Sequence, residues 1–253
     1  MFGICNLSLI PLRVEPRDTS EMASQVLFGE IFEILDQKKQ WTKIKLNFDN
    51  YEGWIDTKQF QEISKEHFEI IECAKPEYNS DLVEFISNNN NENSAITLGA
   101  SLSHLKNEQV NSKNYFFDGN IISGIHEKSN IIEISKLYLN VPYLWGGKSP
   151  FGIDCSGFTQ MVYKLNGYKL FRDASQQAAQ GEVLSFIEES EPGDLAFFDN
   201  EEGKIIHVGI ILNSNYIIHA SGQVRIDRLD HLGIYNETSQ KHTHRLRVIK
   251  KII

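Results

Sequence analysis

A chain of 253 residues with 41% hydrophobic and 23% charged residues has the composition of a soluble globular protein with a sizeable core, and its length admits one large unit or two or three smaller ones. A net charge of -9 argues against nucleic acid as a partner, because phosphate-tracking surfaces carry clustered lysine and arginine. No window approaches the roughly 20 apolar residues of a membrane span, and three widely spaced cysteines, Cys5, Cys73 and Cys155, point to reduced thiols rather than a disulfide framework.

The opening stretch, MFGICNLSLIPLRVEP, lacks the basic head and small-residue cleavage pattern of a secretory leader. A cytoplasmic location is therefore expected; the alternative, an exported protein, requires a leader already removed. Residues 1–73 hold short strand-like runs, QVLFGEIFEIL, WTKIKLN and YEGWI, separated by turn signals at the close spacing of a small β-barrel. Trp41 and Trp54 are the large side chains available to pack it. Residues 74–128 contain the polar tract SNNNNENS, read as an exposed loop, and the short runs AITLGASL and YFFDGNIISG, read as a second small β unit.

From residue 129 to 253 the pattern changes. SNIIEISKLYLN reads as a helix capped by Ser129 or Asn130, with Pro142 past its end. A glycine-bearing loop follows. Phe158, Met161, Val162 and Leu165 then recur at helical spacing, with Gly167 as terminator, which puts Cys155 at a helix start. DLAFFDN, HVGIILN and YIIHASG read as antiparallel strands, so this part is α+β.

A thiol attacks only as its thiolate, which a helix N-terminus favours and the neighbouring Asp154 opposes. The site needs a base, and His207 and His219 are the histidines on strand-like segments of the same unit. If Asn213, Ser214 and Asn215 form a three-residue loop, Leu212 opposes Tyr216, Gly209 opposes His219, and the two histidines share a face; a two-residue loop would part them. On that geometry Cys155 attacks a carbonyl, His207 carries the proton and His219 orients the imidazole. The Cys155 backbone N–H is the candidate oxyanion donor. One cysteine with two histidines at this spacing matches no common zinc pattern, so no metal is expected. His242 and His244, beside Lys241 and Arg245, read as part of a solvated polar segment, and Cys5 and Cys73 as inert.

PYLWGG, DCSGF, PGDLAFF, HVGI and YIIHASG stand in one order between Pro142 and Gly222, and this set resembles the NlpC family of papain-like cysteine endopeptidases, which cut bacterial cell-wall peptides. The resemblance implies a papain-like catalytic domain preceded by two small SH3-like β-barrel domains. It gives Cys155, His207 and His219 the roles of nucleophile, base and third member, and sets the hydroxyl of Tyr143 beside the nucleophile. In one subgroup, positions matching Asp154 and Ser156 bind the free amine of an N-terminal L-alanine, and the first SH3-like domain lends a glutamate and a tyrosine, here Glu21 and Tyr51. RDASQQ resembles a segment lining the same pocket, which adds Asp173 and Ser175, with Ala174 where a serine is expected. The implied reaction is hydrolysis between γ-D-glutamate and a diamino acid in peptides with free L-alanine, in recycling of wall peptides, without a cofactor. The substrate peptide is the implied partner; oligomeric state is not legible. The alternatives are a secreted hydrolase of intact wall and an inactive peptide-binding module.

Overall fold

The computed structural model describes every residue except 108, 109, 111–113 and 214. Two compact units account for the chain: Met1–Ile125 with Trp145–Pro150, and His126–Leu144 with Phe151–Ile253. None of the described helices is long and apolar enough to cross a membrane.

In the first unit the runs read as strands are strands. β1 (Phe2–Ile4), β2 (Leu9–Arg13), β3 (Met22–Leu27), β4 (Ile31–Lys38), β5 (Trp41–Leu46), β6 (Glu52–Asp56) and β7 (Gln61–Ile63) form an antiparallel sheet in the order β3-β2-β6-β5-β4-β1-β7. Alternating side chains from these strands, including Ile10, Leu12, Val26, Phe32, Ile44 and Ile55, fill its interior; each fully buried residue of this kind contributes about 1.5–3 kcal/mol. Helix α1 (Lys65–Cys73) follows, capped by Ser64, whose side chain accepts from His67 N. β8 (Glu77–Asn79), β9 (Val83–Ser87), β10 (Asn93–Thr97) and β11 (Ile121–Ser123) make two separate two-stranded ladders, β9 with β10 and β8 with β11. Residues 74–125 thus have the expected β character, yet they belong to one compact unit with residues 1–73. Strand β12 (Lys148–Ser149) also belongs to this unit.

The second unit starts at His126, three residues before the expected boundary. Helix α2 (Lys128–Leu137) has Glu127 at its N-cap position, with no side-chain cap bond, so neither Ser129 nor Asn130 caps it; both lie inside the first turn. After β13 (Gly152–Ile153), helix α3 (Cys155–Leu165) is buried along its whole length and packs on α2 and the sheet. Gly167 ends it in the left-handed region at φ 86°, as the sequence indicates. A short helix α4 (Ala174–Gln177) precedes β14 (Glu182–Leu184), β15 (Leu195–Asp199), β16 (Ile205–Asn213), β17 (Tyr216–Ser221), β18 (Gln223–Asp230), β19 (Gly233–Asn236) and β20 (Lys241–Lys251). The order β14-β20-β15-β16-β17-β18-β19 closes through an added β19–β20 pairing. β15 to β20 are therefore a six-stranded barrel, with β14 on its outside.

Candidate active site

The register of β16 and β17 decides whether two histidines can meet. Gly209 opposes His219 and Ile211 opposes Ile217, but Asn213 opposes Tyr216, with a register shift between Ile211 and Asn213. The connection is thus shorter than the expected three residues, and Leu212 does not oppose Tyr216. Of the two residues between the last paired positions, Ser214 lies outside the described residues. Leu212 is an extra residue on β16, a bulge that offsets the shorter connection and returns His207, Gly209 and His219 to one face. Gly209 is needed there for space: a Cβ would sit 2.8 Å from that of His219.

His207 Nε2 and His219 Nδ1 share a hydrogen bond of 2.8 Å, and His219 Nε2 lies 3.0 Å from Asp227 Oδ2. A carboxylate only accepts, so His219 carries its proton on Nε2 and accepts at Nδ1 from His207 Nε2–H. The remaining nitrogen of His207, Nδ1, is then the one with a lone pair for a thiol proton. Asp227, on β18 opposite Ile217, completes this line and also takes Arg225 Nη2 at 2.9 Å. Burial works against the charge of Asp227, but the bonds from His219 and Arg225 outweigh it and hold the carboxyl below its usual range. Burial, with the neighbouring His219 and His244, pushes His207 well below the ordinary imidazole value.

Cys155 is the first residue of α3, and Asp154 is its N-cap, accepting from Gly157 N at 2.6 Å. The sulfur is placed against the backbone amide of Val208, next to His207. Burial first, then the charge of Asp154, pushes the thiol up to about 12, while the amides of Val208 and Ser156 and the cation of Arg172 pull it down. Tyr143 is held by its N–H on Gly222 O at 2.9 Å; burial first, then the nearby Cys155 and Asp154, raises its phenol.

Asp154 has a partner inside the fold. Arg172, the bulkiest fully buried side chain, donates through Nη1 and Nη2 to its two oxygens at 3.0 and 2.6 Å, and through Nη1 to Ser156 Oγ at 3.0 Å. This bidentate clamp sets a cation against the acid beside Cys155. Asp173 caps α4, its N–H donating to Gln176 Oε1 at 3.2 Å, and Ser175 is exposed in the first turn.

Glu21 and Tyr51 lie in the first unit. Glu21 Oε1 accepts from Trp145 Nε1 at 2.6 Å, and Tyr51 packs against the barrel core. Among the described residues, no group of three or more His, Cys, Asp and Glu side chains is arranged to hold a metal ion.

Sequence reading missed Asp227, Arg172 and His244. Asp227 was within reach: a tight turn at Gly222 in ASGQVRID sets it on the face of His219. Arg172 gave no such signal: in YKLFRDAS it stands between Lys169 and Asp173 like an ordinary surface charge. His244 is not part of a solvated segment; its ring stacks on His207, centroids 4.2 Å apart and planes 26° apart.

Residues 140–247 match the NlpC/P60 family, and residues 12–60 match the bacterial dipeptidyl-peptidase SH3 domain. The chain is 29% identical over 218 residues to a gamma-D-glutamyl-L-lysine dipeptidyl-peptidase of Bacillus subtilis, covering 78% of this chain and 71% of that one. It is 25% identical over 233 residues to a protein of the same name from Bacillus cereus, covering 80% and 68%. A crystal structure of an NlpC/P60 family protein from Bacillus cereus superposes with a TM-score of 0.83 at 19% identity, over 100% of this chain and 99% of that one, which supports the fold. The chain carries an NlpC/P60 family cysteine-peptidase domain behind a bacterial dipeptidyl-peptidase SH3 domain.

Proposed function

We propose that this peptidase hydrolyses the bond between γ-D-glutamate and a diamino acid in cell-wall peptides that begin with free L-alanine, as a step in the recycling of such peptides in the cytoplasm. The observation that supports the chemistry is the line from Asp227 through His219 to His207, which leaves Nδ1 of His207 as an acceptor, while Cys155 at the start of α3 lies against the backbone amide of Val208, the next residue in the chain. The printed names of the two Bacillus relatives supply the bond.

In the first half-reaction Cys155 Sγ bonds to the γ-carbonyl carbon of D-glutamate as its proton passes to His207 Nδ1. The carbonyl oxygen becomes an oxyanion, met by the Cys155 backbone N–H and the Tyr143 hydroxyl. Collapse breaks the C–N bond, and His207 returns the proton to the leaving amine. Water then attacks the thioester, giving its proton to His207; the carboxylic acid departs and the thiol is restored.

Recognition of the free amine is assigned to Asp154, Ser156, Asp173 and Ser175. The test incubates L-Ala-γ-D-Glu-L-Lys and its N-acetyl form with the protein and with Cys155→Ala. The tripeptide should yield L-Ala-γ-D-Glu and lysine, the acetylated form should react at least about 100-fold more slowly because an acylated nitrogen carries no charge and offers fewer donors than the ammonium the pocket is read to bind, and the variant should be inert. Equal rates on both peptides would remove the amine requirement.

A further inference from the structure

We propose that His244 is a positioning residue for the general base: its ring lies flat against His207 and holds that ring in the plane that keeps Nε2 on His219 and Nδ1 toward Cys155. The proposal rests on the reading of His207 as the base. One hydrogen bond, from Nε2 to His219, fixes a direction but not a ring plane. The plane is set by packing, and His244 supplies the nearest flat surface, at 4.2 Å and 26°, against 5.7 Å and 46° for Phe198. His244 is itself held edge-on by Phe198 and His219, shares a 2.9 Å hydrogen bond between its Nδ1 and Thr243 Oγ1, and sits on β20 opposite Ile234.

The other side of the residue faces outward. His244 lines an open groove of about 620 Å³ together with Ile206, Leu232 and Arg245, whereas His207 is 5% exposed. His244 therefore stands between the base and water. It also meets the base's changing charge: each turnover makes His207 an imidazolium, and a neutral ring face attracts that cation where a second cation would repel it. Burial first, then His219, lowers His244 to about 4 and keeps it neutral. The titratable and charged groups around the pair are Cys155 from α3, His219 from β17, and Asp227 and Arg225 from β18. On the groove side stand Asp199 from β15, Glu201 after it, and His242 and Arg245 from β20.

The experiment compares His244→Ala and His244→Phe with the wild type. Opening the base to water relieves its desolvation, so its pKa rises toward the ordinary value and activity fades at a higher pH on acidification. His244→Ala should lower kcat about 10- to 100-fold with KM within about twofold, and move the acid limb of kcat/KM up by about one pH unit. His244→Phe keeps the flat cover and should restore kcat to within about threefold and the acid limb to its wild-type place. Alkylation of Cys155 by iodoacetamide, followed by mass spectrometry on the peptide that contains it, should show the same shift and needs no substrate. An alanine variant with the wild-type acid limb, or a phenylalanine variant as impaired as alanine with the same circular dichroism, would overturn the proposal. If the wild type fails to cleave the tripeptide, the substrate reading falls, and the alkylation profile still decides on His244.

Discussion

At the level of single side chains, the direction of proton flow is written from Asp227 outward. Its carboxylate can only accept, so each ring beyond it has one allowed tautomer, and the last one presents a lone pair where the thiol is. Asp227→Asn breaks this logic without emptying the space, because an amide can donate to His219 Nε2 and reverse both rings. His207 would then turn an N–H toward the sulfur. We expect kcat to fall by about 10² to 10⁴ with near-normal stability, measured on the tripeptide beside thermal unfolding; a loss below tenfold would mean that the tautomers are set elsewhere. The low pKa of His207 has a signed consequence too. The base is protonated only well below the ordinary imidazole value, so the acid limb of kcat/KM should lie below about pH 6.5, and a limb at or above that value would contradict the burial seen here. Cys155, His207 and His219 stood out in the sequence as candidates because they sit in short local patterns. Arg172 did not, since the need for it arises from the burial of Asp154, which is tertiary. Removing it should show this: Arg172→Met leaves an unpaired buried carboxylate and should lower stability by about 3–5 kcal/mol, with the Asp154→Asn, Arg172→Met double variant recovering part of that loss in urea unfolding.

Among the secondary-structure elements, the β16–β17 hairpin shows how a correct juxtaposition can follow from an incorrect turn. The alternation in HVGIILN and YIIHASG fixes which residues share a face, but not how many residues the connection uses. A shorter connection alone would put the histidines on opposite faces; the extra residue Leu212 restores them. Bulges of this kind leave little trace in an apolar run, because the bulged residue can be as hydrophobic as its neighbours. The prediction runs against intuition. Deleting Leu212 joins Ile211 directly to Asn213, leaves both flanking pairs, Ile211 with Ile217 and Asn213 with Tyr216, as they are, and keeps Gly209 opposite His219. The deletion variant should therefore stay within about tenfold of wild-type kcat/KM, since the pairs on both sides of the bulge are kept and Leu212 is only half-buried. Loss of activity with an intact circular dichroism spectrum would show that the bulge does more than restore register. His244 marks the limit of such reading: its neighbour Phe198 lies on β15, and only barrel closure through β20 brings the two together.

For the molecule as a whole, the division of the chain cuts across the family match. Trp145–Pro150 falls within residues 140–247, yet it belongs to the first unit. The attachments are specific. Gly146, at φ 76°, passes so close to the Met22 carbonyl that a Cβ would sit 2.2 Å from its oxygen. Lys148 N donates to Gln25 Oε1 at 2.8 Å, and its fully buried Nζ lies 3.5 Å from Glu30 Oε1. None of this was legible in PYLWGGKSP, because Glu30, the acid that meets the buried Lys148 Nζ, lies 118 positions earlier. A buried ion pair is costly to break from one side and cheap to replace whole. Glu30→Gln should therefore destabilise the first unit by about 3–5 kcal/mol, while the Glu30→Met, Lys148→Met double variant should recover most of that loss. The readout is clean because all three tryptophans, Trp41, Trp54 and Trp145, lie in this unit, so the urea midpoint of tryptophan fluorescence reports it and not the catalytic barrel. If Glu30→Gln leaves that midpoint unchanged, the charge on Lys148 is satisfied without Glu30, and residues 145–150 are held within the first unit by Gly146, Gln25 and Trp145 instead.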